Sequence, residues 1–393
     1  MNAADQTTSQ TRPTKTLPTK ILQIVPRIAP DMDGVGEYTL RLSKRLKANH
    51  NIDSEFLVFR PSDRTPQTLE DFPVHRLDDH IVSTFLSKIS PEISTVVLQY
   101  SNYPYLQGKL DAPLWLALAL KALKQKGIAT IVMFHELPTL KYGVIRLPNP
   151  FQGKLSRDLA KLSDVVLTNN EAFQNTLSAW RSQPVYCLPN FATIGEPDRV
   201  LPLSKRERAV VVFGSTDRRR VYQSNLRLLK EICQQLNIDT LYDVGRELDW
   251  DAESLGPSVK TIRTGMLSDS DVSELMSQAF AGIFDYHRFP KNLGKSTVYA
   301  AYCAHGLLPI CNGRFLRPQD GTYANQHYVD TFTLHKKAQQ EAQSSTASDL
   351  DSWLQTIATN AHKLYVTRSL DRCAEKYANL IQGASTLTAN APQ

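Results

Sequence analysis

The chain has 393 residues, with 45 Lys and Arg against 39 Asp and Glu and a formal net charge of +6. One hydrophobic core rarely grows beyond about 250–300 residues, so two domains are expected. With 41% hydrophobic and 21% charged residues the composition is that of a globular protein, which excludes a wholly disordered or low-complexity chain. The mild positive charge suits anionic ligands or an acidic membrane surface and does not by itself mark a nucleic-acid binder.

Residues 1–19 are polar and read as a disordered tail without the apolar core of a signal peptide. Residues 21–25 form the first buried strand. The turn Asp33-Gly34-Val35-Gly36 follows, then a helix with Val35, Tyr38, Leu42 and Leu46 on one stripe. Gly34 and Gly36 let backbone amides approach a ligand, an anion or sugar; the alternative is tight packing alone. A dinucleotide fingerprint needs a third glycine, where Thr39 stands, and an acid closing the second strand, which runs from 55 to 59 into Arg60. NAD binding is therefore not expected.

The rhythm continues with a strand at 96–99, a tyrosine-rich loop at 100–105, a helix at 114–124, and a strand at 128–134 that ends in His135-Glu136. A helix at 151–161, a strand at 165–168, a helix at 171–180 and a strand at 185–188 complete the half. Alternating strands and helices imply a mostly parallel, doubly wound sheet. Residues 189–208 break the rhythm with prolines and charge, and the domain boundary is placed there. The second series opens with a strand at 210–213, a loop from Gly214 through Arg218 to Arg220, a helix at 222–236 and a strand within 239–244. The longest apolar stretch, 112–123, is too short to span a bilayer, and a cytoplasmic protein is expected. The domains are expected at 20–195 and 209–345. Two helices follow over 350–382, packing back toward the first domain, with a frayed tail at 383–393.

The most informative stretch is 280–311. It reads as a strand at 280–284, a polar loop at 285–293, a helix at 294–304 and a strand at 307–311. Gly306 stands where a helix end favours a left-handed residue. In such a unit the loop lies at the carboxyl end of a parallel strand, where open α/β sheets bind ligands. The helix begins Gly294-Lys295-Ser296-Thr297. Its first amides lack partners and its dipole favours an anion, Lys295 adds a full charge, and the hydroxyls add donors: a phosphate site. The tail imitates a P-loop, but that motif needs a glycine where Phe289 stands, which argues against an ATPase or kinase.

His135-Glu136, the Arg218–Arg220 loop, the 294–297 turn and the 34–36 turn all fall at carboxyl ends of strands. With two facing sheets they would open on one cleft. Arg220 and Lys295 would hold a diphosphate; a charge-assisted hydrogen bond contributes about 1.5–3 kcal/mol, and two or three approach the roughly 4–8 kcal/mol of millimolar to micromolar binding. The arginine run also fits a solvated loop, and His135 an interior histidine. Five cysteines, 187, 233, 303, 311 and 373, form no CxxC pair and no metal-ligand spacing is visible, so reduced thiols and no metal are expected.

These segments resemble a known group. ILQIVPRIAPDMDGVGEYTLRLSKRL at 21–46, VVFGSTDRRR at 211–220, LSDSDVSELMSQA at 267–279 and YAAYCAHGLLPI at 299–310 resemble the nucleotide-sugar glycosyltransferases of the GT-B fold, the retaining group called glycosyltransferase family 4. The stretches around 96–120 and 132–138 resemble a bacterial subset. The resemblance implies an α/β fold of two doubly wound Rossmann-like domains facing a central cleft, an acceptor-side first domain and a donor-side second. It implies sugar transfer from a UDP- or GDP-linked donor to a saccharide or lipid-linked acceptor hydroxyl, in polysaccharide or glycolipid synthesis. Retention, no metal, no separate cofactor and no nucleic-acid partner are expected, with peripheral membrane contact permitted.

Residue by residue, Gly34 and Gly36 match the turn facing acceptor and donor phosphate. His135 matches a histidine touching the donor sugar, and Gly214, Arg218 and Arg220 match the glycine and basic residues of the diphosphate loop. Glu136 and Asp285 are the nearest carboxylates that would assist catalysis. The family's paired glutamates, eight apart, are absent: Leu293 and Ala301 stand in their places. A non-catalytic nucleotide-sugar-binding or scaffold protein of the same fold is the alternative.

Overall fold

The computed structural model describes residues 19–31, 33–102, 105, 113–138, 150–215, 218–223, 225–285, 293–312, 320–342 and 349–389. Two α/β units follow each other along the chain. The first holds strands β1 (Thr19–Val25), β2 (Ile52–Val58), β3 (Thr68–Leu69), β4 (Phe72–Arg76), β5 (Ile93–Tyr100), β6 (Ala129–Phe134), β7 (Val165–Thr168) and β8 (Val185–Cys187). Its helices are α1 (Gly34–His50), α2 (Val82–Ser87), α3 (Trp115–Gln125), α4 (Pro150–Leu162) and α5 (Glu171–Ser178). The sheet order is β3-β4-β2-β1-β5-β6-β7-β8, and every pairing except the β3–β4 hairpin is parallel. Helices cover both faces, so the central strands β1, β5 and β6 are buried along their length and carry near-continuous apolar runs.

The second unit holds β9 (Glu207–Phe213), β10 (Thr240–Val244), β11 (Lys260–Gly265), β12 (Ala279–Phe284), β13 (Leu308–Cys311) and β14 (Val329–Asp330), in the order β11-β10-β9-β12-β13-β14 and all parallel. Its helices are α6 (Arg219–Gln223), α7 (Leu226–Gln235), α8 (Asp269–Gln278), α9 (Thr297–Ala304) and α10 (Thr331–Ala342). The chain closes with α11 (Asp349–Val366), which packs on α9 and β13, and α12 (Leu370–Ala389), which crosses to α1, β5 and β6 of the first unit. Of the two closing helices, the second packs on the sheet of the first domain, while the first reaches that domain through Tyr365, whose hydroxyl accepts from the Ala192 amide at 3.0 Å.

Several expectations are corrected. The helix expected at 294–304 begins at Thr297, preceded by a separate 3-10 turn, Leu293–Lys295, because Ser296 takes the N-cap position and accepts from the Tyr299 amide at 3.1 Å. The helix expected at 222–236 is two helices, α6 and α7. The tail expected from 383 is helical to Ala389. The hairpin β3–β4 turns through Glu70 and Asp71, both with positive φ, a signal that neither glycine nor asparagine announced. Tail residues 1–18, the loop residues 286–292 with Phe289 and Pro290, and part of the tyrosine-rich loop lie outside the described residues.

Candidate active site

The carboxyl ends of β1, β5 and β6 in the first sheet and of β9, β10 and β12 in the second face one cleft. Two connected cavities fill it. One, about 380 Å3, is lined by Glu136 from the first domain and by Gly214, Arg220, Asp285, Lys295 and Thr297 from the second. The other, about 760 Å3, runs from Gly34, Glu37 and Arg41 to Arg246, Met266 and Asp269. Phe213, Gly214, Ser215, Thr297 and Val298 line both.

Helix α9 is aimed by its own burial. Tyr302 is fully buried beneath Gly282, where a Cβ would come within 2.5 Å of the ring. Its hydroxyl accepts from the Phe213 amide at 3.1 Å and donates toward the carbonyls of Val211 (3.1 Å) and Ile283 (3.2 Å), fixing α9 to the ends of β9 and β12. Thr297 and Val298, the first residues of α9, line the cleft beside Gly214, and the first amides of a helix have no i→i−4 partner. Gly214 has φ +128°, and a Cβ there would stand 3.1 Å from Val298 Cγ2, so the turn requires glycine.

Arg220, half-buried on α6, lines the smaller cavity, and its side chain has no hydrogen-bond or ion-pair partner among the described residues. Lys295 reaches across the cleft and pairs with Glu136 Oε1, while Ser101 Oγ donates to Glu136 Oε2 at 3.1 Å. Asp285 lies in the same cavity, 3.5 Å from Asn225 Nδ2.

Other expected site residues serve the scaffold. Arg218 lines the smaller cavity, but its side chain is committed to the scaffold. Its guanidinium is buried, 2% exposed, on Asp243 Oδ1 at 2.6 Å, and donates further to the carbonyls of Gly214, Ser215 and Arg246. It therefore braces the turns after β9 and β10. His135 is likewise interior. It donates Nε2–H to Gln99 Oε1 at 2.8 Å, meets Tyr38 edge-on at 5.0 Å, and lines neither cavity. Burial, helped by the charge of Lys295, pushes its imidazole down to about 3, so it is neutral at neutral pH.

The glycine turn is also occupied. Asp33 caps α1 and accepts from the amides of Val35 (2.9 Å) and Gly36 (3.0 Å), so the Gly36 amide points at a carboxylate rather than outward. A Cβ on Gly36 would stand 2.1 Å from the Arg27 carbonyl; on Gly34 it would meet nothing within 4 Å. Both glycines line the larger cavity, and Gly36 also packs α1 against the Arg27 carbonyl. The Gly294 amide, too, is taken: it donates to Asp320 Oδ2 at 2.8 Å, while Asp320 Oδ1 accepts from the Glu171 amide at 2.7 Å. Asn190 completes this junction, donating its amide to the Gly294 carbonyl (2.7 Å) and its side chain to the Lys295 carbonyl (2.8 Å). The Gly294 amide is therefore committed to the scaffold, while Lys295, Ser296 and Thr297 line the smaller cavity.

Sequence reasoning missed Asp320, Ser101 and the Arg41–Asp269 ion pair that also crosses the cleft. Asp320 gave no signal, because its partners are backbone amides far away in sequence. Leu293 and Ala301, where the paired glutamates would stand, are 4% and 1% exposed within an apolar cluster and present nothing to the cleft. Among the described residues no group of three or more His, Cys, Asp or Glu side chains is placed to hold a metal ion, and no helix is long and apolar enough to cross a membrane.

Two parallel-sheet α/β domains facing a cleft define the GT-B fold. No family model and no curated protein matches the chain. Solved structures do. An α-glucosyltransferase in complex with UDP and a 13-mer DNA containing an HMU base matches with TM-score 0.57 and 12% identity, over 92% of this chain and 99% of that chain. A protein assigned as UDP-N-acetylglucosamine 2-epimerase from Listeria monocytogenes matches at 0.56 and 13%, over 95% and 98%. MnaA of S. aureus, solved with UDP, matches at 0.52 and 10%, over 95% and 99%. At such identities the likeness is one of fold. It does not single out glycosyltransferase family 4. One neighbour was solved with DNA, so the fold gives no ground for excluding nucleic acid.

Proposed function

We propose that the cleft binds a nucleotide diphospho-sugar and that the chain transfers its sugar to an acceptor hydroxyl. The observation that carries this reading is the convergence of Arg220, Lys295 and the first amides of α9 on one cavity between the domains. Cations and preorganised amides stabilise a leaving diphosphate without a metal. The UDP carried by two neighbours supports UDP as the base-bearing half, with GDP the alternative. The acceptor oxygen bonds the anomeric carbon, the bond to the β-phosphate oxygen breaks, and the hydroxyl proton leaves on the departing diphosphate. Glu136 and Asp285 are the carboxylates beside that path. Retention follows the resemblance to family 4, and a saccharide or lipid-linked acceptor would enter by the larger cavity. The test is nucleotide release: purified chain incubated with UDP- and GDP-sugars should liberate UDP or GDP, faster with an acceptor saccharide. No release with any donor, together with tight donor binding, would favour the second reading, a non-catalytic nucleotide-sugar-binding protein. Burial of Leu293 and Ala301 where a ribose-holding glutamate would stand is what supports that reading.

A further inference from the structure

Lys295 stands two residues before α9, yet its ammonium is held by a carboxylate of the other domain. The pair with Glu136 is not a loose surface contact. The two side chains are 26% and 29% exposed, and Ser101 holds the second carboxylate oxygen. The backbone carrying Lys295 is bolted to the first domain through Asn190 and Asp320. Glu136, Arg220 and Thr297 line the same cavity. A carboxylate stands there on a cation, beside a helix N-terminus that favours an anion. We propose that Glu136 is a built-in substitute for the diphosphate: it holds Lys295 until an entering nucleoside diphosphate takes the lysine from it. Glu136 is thus a gating residue that weakens donor binding. The inference rests on the reading of the cleft as a nucleotide-diphosphate site.

The exchange has a distinct thermodynamic signature. Removing the Glu136 charge frees Lys295, so Glu136→Gln should tighten UDP binding about fivefold, the scale of a partly exposed ion pair. A general loss of negative charge near an anion site would tighten binding as well, but it would do so whether or not the lysine is present. The double-mutant cycle separates the two. With Lys295→Met in place, binding should be weaker and Glu136→Gln should then change it by less than about twofold. Ser101→Ala, which loosens Glu136 without altering charge, should shift UDP affinity in the same direction as Glu136→Gln and keeps the test open if that variant unfolds. The experiment is calorimetric titration of the full chain with UDP, with thermal melts to confirm folding. Equal or weaker UDP binding by both Glu136→Gln and Ser101→Ala overturns the exchange. So does an undiminished Glu136→Gln effect in the Lys295→Met chain. If wild type and all variants fail to bind UDP or GDP, the nucleotide reading fails and the exchange with it.

Discussion

Arg218 Nε lies 2.6 Å from Asp243 Oδ1, and each side chain is 2% exposed. Trp250 Nε1 donates to the other carboxylate oxygen at 3.3 Å, and the Trp250 ring stacks on Tyr222 at 4.0 Å. The pair therefore braces the turns that carry Gly214 and Arg246, at the wall of the smaller cavity. Breaking a buried pair from one side strands the other charge, at about 3–5 kcal/mol. Arg218→Met should lower stability by that amount in urea titration. Loss of nucleotide binding with unchanged stability would instead place Arg218 on the ligand.

The glycines of the first turn should respond in opposite ways. Gly34→Ala adds a Cβ that meets nothing at the first position of α1, so stability should hold or rise by up to about 1 kcal/mol. Gly36→Ala drives a Cβ into the Arg27 carbonyl, and separating α1 from the preceding loop should cost about 1–3 kcal/mol. Thermal melts of the two variants check this; similar behaviour would mean the close approach at Gly36 is absent.

His135 sets part of the acid sensitivity. Its folded-state value, about 3, lies below the ordinary 6.5, so the unfolded chain binds the extra proton. The stability due to a neutral His135 is fully present above pH 6.5 and drains as pH falls from there toward 3. One histidine contributes a slope of at most about 1.4 kcal/mol per pH unit. His305, pushed down to about 4 by burial, acts in the same sense. His135→Asn should flatten the fall in stability between pH 6.5 and 5 by up to one proton's slope, with the remainder left to other groups. An unchanged slope, measured by urea titration across that range, would mean His135 is solvated.

Much of the fold is legible in sequence because parallel strands buried on both faces must be apolar: β1, β6, β7 and β12 stand close to where their runs of Ile, Val, Leu and Phe put them. The hairpin β3–β4 pairs only two residues of each strand and carries no such run. The site is less legible. Arg220 and Lys295 follow from charge at strand ends, and both reach the cleft. Charge alone cannot say that Arg218, two residues earlier, turns inward to Asp243, a partner 25 positions away. Spacing alone cannot say that Asp33 and Asp320 fill the very amides, of Gly36 and Gly294, that glycines leave available. In each case a carboxylate, local for Asp33 and distant for Asp243 and Asp320, decides whether a donor serves the scaffold or a ligand.

The central claim is that Arg220 and the opening of α9 hold a nucleoside diphosphate between the domains. Calorimetric titration of wild type and Arg220→Ala with UDP and with GDP tests it most directly. One site per chain is predicted for at least one of the two, weakened about 10–100-fold in Arg220→Ala by loss of a charge-assisted hydrogen bond. Binding of neither nucleotide, or equal affinity in the two proteins, would contradict it.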